Sequence, residues 1–339
     1  MSKELLSGTP LKWVGGKSRI MNTLKAHLPE ADCLVEPFVG GASVFMNTSY
    51  SRYILGDSNG ALINFCRAAR DNTDSLINEA KGLFLEHNNR TDYLAIRNTF
   101  NAENHAFLST GISDRRELRL AAMFLYLNRH CFNGLYRVNE KGDFNVPFGG
   151  YRAPYFPERE IRAFADKANS TRTLLVHGDF QKTLNTASHL FSIGSTLCVY
   201  CDPPYLSFSG RDNFTAYEKP FTKDEHVRLR AALDRLSQET GGMTSITISG
   251  SDTPETRRIY QGYRMNRIQA PRSVGAKTRK PAPEVIATLR QCDACGRHGG
   301  GYCPDCGTVT GDTTYSAIFT SSTAEQPLTP CSVNCYRTE

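Results

Sequence analysis

Short runs of apolar and β-branched residues, each bounded by turn residues, predict the strands of this chain. Four runs are clear and a fifth is weaker; they lie at 33–36, 52–55, 196–200 and 244–248, with the weaker one at 174–176. Runs of this length that are rich in β-branched residues are typical of buried strands. The pattern therefore predicts a sheet that contains these segments.

Apolar residues at helical spacing lie between several of the predicted strands. Over 115–128 they recur on one face of a helix. A second helix is predicted from about 223 to 236, with Thr222 as its N-cap. Helices that alternate with strands predict an α/β fold built on a parallel sheet.

Spacing and composition divide the chain into three predicted parts. The stretch between the second strand and the weak fifth strand is too long for one crossover connection, so 60–172 are predicted to form an inserted, mainly helical subdomain. Residues 1–59 and 173–290 then form the domain that contains the sheet. Apolar periodicity gives way to Cys, Gly, Thr and Ser over 291–339, which predicts a separate tail.

The composition indicates a globular protein and excludes a wholly disordered one. The 339 residues are 40% hydrophobic and 22% charged, with a net charge of +6. This mild basic excess permits a polyanionic partner without requiring one. No apolar run reaches the ~18 residues of a membrane span, and no apolar segment follows the basic start, so we expect a cytoplasmic protein that does not enter the membrane.

The cysteines are unevenly placed, and six of the 11 lie in the tail. Two Cys-x-x-Cys pairs, Cys292 with Cys295 and Cys303 with Cys306, are each followed by glycine. Four thiolates at this spacing match a tetrahedral Zn²⁺ site and predict a small zinc ribbon. A redox pair or exposed thiols are the alternatives. The scattered placement of the other cysteines favours reduced thiols over a disulfide framework.

The most informative segment is Asp202-Pro203-Pro204-Tyr205, which directly follows a predicted strand. The prolines remove two N–H donors, so the Asp202 carboxylate and the Pro203 carbonyl are acceptors at the carboxyl end of the strand. Open α/β sheets bind ligands in the crevice at that end. Two acceptors beside an aromatic ring suit the amino group of a flat heterocycle. The plainer alternative is a turn after a buried strand.

A glycine-rich turn at 35–45 follows the first strand and lets a ligand approach the backbone. It lacks the GxGxxG and Walker patterns, which argues against dinucleotides and nucleoside triphosphates. Glu36 is suited to a ligand's ammonium group, and Asp57, at the end of the next strand, to ribose hydroxyls. A nucleoside with a cationic amino-acid tail, such as S-adenosylmethionine, fits both. A simple tight turn and, for Asp57, a helix N-cap are the alternatives.

Three motifs, taken in order, resemble the Dam-type DNA adenine-N6 methyltransferases. They are Trp13-Val14-Gly15-Gly16-Lys17, then Glu36-Pro37-Phe38-Val39-Gly40-Gly41, then Asp202-Pro203-Pro204-Tyr205. The segments 126–137, 143–149, 154–156 and 213–217 are similar to further parts of that family. The resemblance covers roughly 9–290. It implies an α/β fold of the class I S-adenosylmethionine-dependent methyltransferase type, with a Rossmann-like sheet and a helical target-recognition insertion. The zinc-ribbon-like tail lies outside it.

The resemblance implies an enzyme that methylates N6 of adenine in duplex DNA, with GATC as the expected site. The implied pocket for S-adenosylmethionine consists of Trp13, Lys17, Glu36, Phe38, Gly40, Asp57, Phe180 and Asp202. Asp202 and Pro203 would hold the adenine amino group, and Tyr205 would stack on the base once it has left the duplex. Transfer would be direct, without a covalent enzyme intermediate.

The resemblance also implies a set of DNA-binding residues in a monomeric enzyme. They are Lys12, Arg129, Phe132, Asn133, Leu135, Arg137, Pro147 and Tyr151. Arg137 matches a position that reads guanine, which an arginine contacts bidentately through O6 and N7. Phe132 and Asn133 match residues that enter the duplex in place of the adenine. Lys12 and Arg129 are expected at phosphates or flanking bases.

Two positions depart from the family's pattern, and two other functions stay open. Ala42 ends the glycine turn where another glycine is common, and Gly150 stands where an arginine is common. The other functions are methylation of a different amino group, on cytosine N4 or a protein glutamine, and a catalytically idle zinc-ribbon DNA-binding protein. An Asp rather than Ser or Asn before Pro-Pro-Tyr argues against the other amino groups.

Overall fold

A computed structural model describes residues 7–110, 114–206, 221–270, 282–289, 301–302 and 309–310. Its centre is a seven-stranded sheet formed by β1 (Cys33–Glu36), β2 (Arg52–Asp57), β3 (Arg172–His177), β4 (Leu197–Cys201), β5 (Thr244–Ser251), β6 (Arg264–Ala270) and β7 (Ala282–Leu289). The spatial order is β3-β2-β1-β4-β5-β7-β6. The strands from β3 to β5 in this order pair in parallel, and β7 is antiparallel to both of its neighbours.

Helices cover both faces of the sheet. In chain order they are α1 (Met21–Lys25), α2 (Ser43–Asn47), α3 (Gly60–Asp71), α4 (Thr73–Glu86), α5 (Arg90–Thr110), α6 (Asp114–His130), α7 (Glu158–Ser170), α8 (Phe180–Leu190), α9 (Lys223–Glu239) and α10 (Pro254–Ile259). Two 3₁₀ turns, Lys17–Arg19 and Phe132–Gly134, supplement them. Helices α3 to α7 lie between β2 and β3 in the chain, in the predicted insertion.

Successive residues of a strand point to opposite faces, so the sheet separates two apolar clusters. Leu34 packs in the cluster that includes residues of α3 to α7, and Val35 packs in the cluster that includes residues of α8 and α9. Because both faces are covered, β1 and β4 are buried at every residue. The carboxyl ends of β1, β2, β4 and β5 lie at one edge of this sheet, where the residues that follow them share a cleft.

The structure confirms the predicted strands and both predicted helices. The five strand segments coincide with or overlap β1 to β5, and the helices predicted at 115–128 and 223–236 lie within α6 and α9. Thr222 caps α9, because its side-chain oxygen accepts a hydrogen bond from the Glu225 N–H. The three-part division of the chain, with the bounds given above, stays a prediction.

The predicted strands pair in parallel, and the structure adds two antiparallel strands at one edge of the sheet. The antiparallel strands β6 and β7 complete the sheet, and the apolar runs did not predict either of them. In β6, polar residues such as Arg264 and Asn266 interrupt the apolar ones. An edge strand pairs with a neighbour on one side only and is therefore more exposed, so it lacks the continuous apolar run by which a strand buried on both faces is identified.

Several predicted features lie outside the described residues. They include the cysteines of the predicted zinc ribbon, Cys292, Cys295, Cys303 and Cys306, and the family-like segment 213–217. Two short strands, β8 (Gly301–Tyr302) and β9 (Val309–Thr310), form an antiparallel pair in the tail. Over the described ranges, no group of three or more His, Cys, Asp or Glu is arranged to hold a metal ion. No described helix is long and apolar enough to cross a bilayer.

Candidate active site at the carboxyl ends of the strands

Asp202 directly follows β4 and forms an ion pair with Lys17. Its Oδ2 atom is 2.6 Å from the Lys17 ammonium, and Lys17 also donates to the Gly15 carbonyl at 2.7 Å. The other oxygen, Oδ1, is buried and has no hydrogen-bond partner in the described part of the chain. A buried acceptor without a partner is unfavourable, so the site offers this oxygen to a ligand's N–H or O–H group.

The ion pair also sets the charge of Asp202. Burial raises the pKa of the Asp202 carboxyl, and the Lys17 ammonium opposes that rise. Without the lysine, the carboxyl would keep its proton to a higher pH and would present an O–H donor in place of an acceptor. Lys17 is only 7% exposed, so solvent screens the pair weakly. The pair therefore favours the ionised, accepting form of Asp202.

Tyr205 lies beside the same ammonium group. The Lys17 Nζ atom is 5.2 Å from the centroid of the Tyr205 ring, within range of a cation–π interaction. The Tyr205 hydroxyl donates to Oε2 of Glu284 at 3.3 Å. Glu284 lies on β7, a strand that the sequence did not predict, so it was absent from the expected site. Between Asp202 and Tyr205, Pro203 is buried and Pro204 half-buried.

The glycine-rich turn after β1 is closed by the indole of Trp13. A Cβ atom at Gly40 would lie 2.8 Å from Trp13 Nε1, and one at Gly41 would lie 2.8 Å from Trp13 Cβ. Both positions therefore require glycine. Gly40 (φ 48°) and Ala42 (φ 60°) are in the left-handed region, and for alanine this costs about 1–2 kcal/mol. The turn thus keeps its conformation at Ala42 without a third glycine.

Glu36 ends β1 and is 1% exposed. Burial raises the pKa of its carboxyl to about 8, although the Lys167 ammonium on α7 and the Phe45 backbone N–H favour the ionised form. Its Oε1 atom is buried and has no hydrogen-bond partner within the described ranges. Glu36 is thus a second open acceptor at the strand ends, one strand away from Asp202.

Asp57 ends β2 and holds the glycine turn in place. Its Oδ2 atom accepts from the Gly40 N–H and its Oδ1 atom from the Asn59 N–H, both at 3.0 Å. Burial nevertheless raises the pKa of the carboxyl to about 6. Each oxygen keeps one further lone pair, so the predicted contact with ribose hydroxyls stays a prediction. The alternative role of N-cap belongs to Asn59, whose side chain accepts from the Leu62 N–H at the start of α3.

Phe38 and Phe180 meet a third ring, Phe221, that the sequence analysis did not include. The three ring centroids are 5.6 to 5.9 Å apart. Phe221 precedes the N-cap Thr222, and its ring is 4.9 Å from that of His226 in the first turns of α9. An apolar residue before a Thr-x-x-Glu cap is the pattern of a hydrophobic staple, so the sequence did contain a signal for this contact.

The predicted duplex-entering residues are brought together by the insertion. Phe132 is 49% exposed, and its N–H donates to the Pro147 carbonyl at 2.9 Å. Asn133 is in the left-handed region (φ 56°), and its N–H donates to the Tyr151 hydroxyl at 2.9 Å. Leu135 is half-buried against the core. An asparagine in the left-handed region, held by a tyrosine, thus lies beside an exposed phenylalanine, and their entry into a duplex stays a prediction.

Arg137 is held by one neighbouring residue, Asn145. Its Nε donates to Asn145 Oδ1 at 2.7 Å and its Nη2 to the Asn145 carbonyl at 3.4 Å. The Asn145 N–H donates in turn to the Arg137 carbonyl at 3.0 Å. These bonds leave Nη1 and a second proton of Nη2 for another acceptor pair. The guanidinium is therefore orientated before any nucleic acid binds.

Lys12 and Arg129 both lie where the N-terminal segment packs on α6. Lys12 Nζ lies 4.5 Å from the Tyr151 ring centroid, among the other predicted DNA contacts. Arg129 is 7% exposed, and its guanidinium donates to the carbonyls of Thr9 and Pro10. These bonds occupy the group in the interior, so the placement gives no support to the predicted phosphate contact of Arg129. Its observed role is to hold the N-terminal segment on α6.

The sequence is similar to known proteins over most of this length. A family model described as D12 class N6 adenine-specific DNA methyltransferase matches residues 13–274. The DNA adenine methylase of Vibrio cholerae serotype O1 is 42% identical over 266 residues, which are 78% of this chain and 88% of its own. Those of Serratia marcescens and Escherichia coli K12 are 38% identical over 284 residues, which are 83% of this chain and 97% and 94% of theirs.

The raised pKa of Glu36 predicts how stability depends on pH. An unfolded chain ionises Glu36 near the ordinary pKa of about 4.3, whereas the folded chain keeps the proton up to about pH 8. Over that range the folded state binds more protons, so stability falls as pH rises. We expect Glu36→Gln to reduce the decline of the melting temperature between pH 6 and 8. Thermal unfolding scans at several pH values measure it.

The control for this measurement is Glu79→Gln, which changes an exposed carboxylate on α4. It should leave the pH dependence as in the wild type. Equal declines for the wild type and Glu36→Gln would contradict the inferred burial of a protonated Glu36.

Proposed function

Since the chain belongs to the D12 class of N6 adenine-specific DNA methyltransferases, we propose that the cleft around Asp202 is where a methyl group passes from S-adenosylmethionine to N6 of adenine in duplex DNA. The observation that carries this proposal is the buried, unpartnered Oδ1 of Asp202 beside the Lys17 ammonium. An adenine amino group has two N–H donors. The Asp202 carboxylate takes one, and the Pro203 carbonyl takes the other.

The residues at the strand ends fit the proposed cofactor. Glu36 has an unpartnered buried oxygen for the ammonium group of the amino-acid tail, and Gly40 lets the Trp13 indole pack on the turn beside it. Phe38 and Phe180 supply aromatic surface for a purine. Lys17, Asp57 and Asp202 complete the proposed pocket. When bound, S-adenosylmethionine supplies an electrophilic methyl group on a positively charged sulfur.

Catalysis in this proposal comes from positioning and electrostatics. Asp202 and Pro203 hold the amino group so that its nitrogen lone pair faces the incoming methyl group. The Lys17 ammonium favours the ionised, accepting form of Asp202. The Tyr205 ring stacks on the extruded adenine, because the amino nitrogen cannot be reached inside the duplex. Transfer is direct and needs no covalent enzyme intermediate.

The proposed DNA-reading surface is the part of the insertion around Arg137. Phe132 and Asn133 project and would fill the space left by the extruded base, while Leu135, Pro147 and Tyr151 line the contact. Arg137, held by Asn145, would read guanine with its remaining N–H donors. We propose GATC as the site and a monomer on double-stranded DNA in the cytoplasm as the working state. Membership of an adenine-specific family favours adenine over cytosine N4 or glutamine, and favours an active enzyme over an idle one.

We expect Asp202→Ala to abolish methyl transfer while the protein stays folded. A single positioned group that stabilises the transition state is usually worth about 10²-fold or more in rate. The measurement is modified-base sequencing of duplex DNA treated with each variant, which reports the reaction and the target site together. Asp32→Ala, at an exposed carboxylate before β1, is the matched control. Turnover by Asp202→Ala close to that of the control would refute the proposed site.

Arg137→Ala should relax recognition at one guanine and leave general DNA affinity nearly intact. A bidentate arginine–guanine contact supplies about 1–3 kcal/mol of discrimination, whereas phosphate contacts carry no sequence information. Methylation rates on cognate and singly substituted duplexes measure the effect. Arg119→Ala removes an exposed arginine of α6 that pairs with Glu103, and should change no preference. If Arg137→Ala kept every preference, guanine would have to be read by another residue.

We further propose that the tail binds one structural Zn²⁺ through Cys292, Cys295, Cys303 and Cys306. The spacing of the two Cys-x-x-Cys pairs is the main argument. The pairing of Gly301 with Thr310 and of Tyr302 with Val309 adds support, since these strands flank the second cysteine pair in the chain as the strands of a zinc knuckle do. The tail lies beyond the 13–274 match to the family.

Elemental analysis of the purified, reduced protein should find about one zinc per chain. Replacing Cys303 and Cys306 with serine should remove the metal, because both thiolates are ligands in this proposal. Replacing Cys331 and Cys335 with serine, as a control, should not. Methylation of short duplexes should survive either change, since the proposed active site lies in the sheet domain. Wild-type protein without zinc would exclude the ribbon.

A further inference from the structure

A buried histidine on α9 lies directly behind the Asp202-Pro203-Pro204-Tyr205 motif. The Nε2 atom of His226 is 3.0 Å from the Pro204 carbonyl oxygen, and its Nδ1 atom is 2.9 Å from the Tyr260 hydroxyl. Both side chains are buried, His226 at 2% and Tyr260 at 1% exposure. The sequence analysis included neither residue in the site.

The partners determine where the proton of the imidazole lies. A carbonyl oxygen only accepts, so Nε2 must carry the hydrogen and donate it to Pro204. Nδ1 then accepts, and the Tyr260 hydroxyl donates to it. Burial lowers the pKa of His226 to about 4, which keeps the ring neutral near pH 7. One neutral tautomer therefore satisfies the whole chain of hydrogen bonds.

This chain of hydrogen bonds restrains the peptide plane between Pro204 and Tyr205. The Pro204 carbonyl belongs to that plane, and neither proline has an N–H group through which the backbone could be held instead. A fixed carbonyl at Pro204 sets the direction in which Tyr205 leaves the backbone. It also prevents Pro204 from turning its own acceptor into the cleft, so that Pro203 and Asp202 remain the acceptors there.

We propose that His226 is a positioning residue for methyl transfer, which holds the Pro204 carbonyl through Nε2 while Tyr260 selects its tautomer. The inference rests on the proposed role of the Asp202-Pro203-Pro204-Tyr205 motif in methyl transfer. His226 also contacts Phe221, whose ring packs against Phe38 and Phe180. The same side chain therefore supports the motif and the aromatic surface proposed for the cofactor.

Two amide variants separate the contact with Pro204 from the contact with Tyr260. A glutamine places its amide nitrogen where Nε2 lies and can donate to Pro204. An asparagine is one methylene shorter, so it reaches the position of Nδ1 beside Tyr260 but not Pro204. We expect His226→Gln to retain a single-turnover methylation rate close to that of the wild type. We expect His226→Asn to be about tenfold slower or more, as for the loss of one buried hydrogen bond.

Rates are measured with saturating S-adenosylmethionine and duplex, and the dissociation constants of both are measured in parallel. A positioning role predicts that the rate in His226→Asn falls by a larger factor than either dissociation constant rises, with both variants folded at the assay temperature. Equal rates for the two folded variants, whether both are fast or both are slow, would overturn the inference. Asp202→Ala in the same assay tests the active site itself, so failure of the proposed function is recognised separately.

The tautomer supplies a measurement on the wild-type protein itself. In wild-type protein with ¹⁵N-labelled histidine, the NMR signals of His226, assigned by their loss in His226→Gln, should show a protonated Nε2 and an unprotonated Nδ1 near pH 7. Tyr260→Phe removes the donor to Nδ1 and should shift the Nδ1 signal. A proton on Nδ1 in the wild type would overturn the inference.

Discussion

The ion pair between Lys17 and Asp202 is the interaction on which the proposed active site of this DNA adenine methyltransferase depends. The fold buries carboxyl groups at the ends of β1, β2 and β4, and burial by itself favours their neutral forms. Lys17 opposes this at Asp202, and two backbone N–H groups oppose it at Asp57. At Glu36 the Lys167 ammonium and the Phe45 N–H oppose it only in part, and burial raises the pKa of that carboxyl to about 8. The site is thus a set of desolvated acceptors. The free-energy cost of burying them is offset when a ligand supplies hydrogen-bond donors.

The segment 9–17 connects this ion pair to the insertion that we propose reads DNA. At one end, Asn128 bonds to the N–H and carbonyl of Lys12 at 2.9 and 2.8 Å, and Arg129 holds the carbonyls before it. In the middle, Trp13 covers the glycine turn and stacks on Tyr136 at 5.9 Å, next to Arg137 in the chain. At the other end lies Lys17. One short stretch of backbone thus contacts both regions. Asn128 and Arg129 of α6 therefore help to position the proposed cofactor pocket as well as the proposed DNA-binding surface.

Behind the Asp202-Pro203-Pro204-Tyr205 motif, the side chains that support it are hydrogen-bonded, whereas Oδ1 of Asp202 has no partner within the described ranges. The Tyr200 hydroxyl bonds to Ser249 at 2.8 Å, and His226 bridges Pro204 and Tyr260. These buried bonds make the base of the motif rigid. Rigid support behind unpartnered acceptors suits preorganised catalysis, since the groups need not move when the substrate arrives.

The sequence by itself determined the strands β1 to β5, the helices α6 and α9, and the order of the three motifs, because each is encoded in a short stretch of residues. It also identified Asp202 and the glycine turn at 40–41, whose chemistry follows from their immediate neighbours. Only the tertiary structure decided that Arg129 is buried, that Asp57 binds the glycine turn, and that His226 supports the motif. These contacts join residues 17 to 119 positions apart. Pairing over such distances depends on how the strands and helices pack, and no local pattern of residues records it.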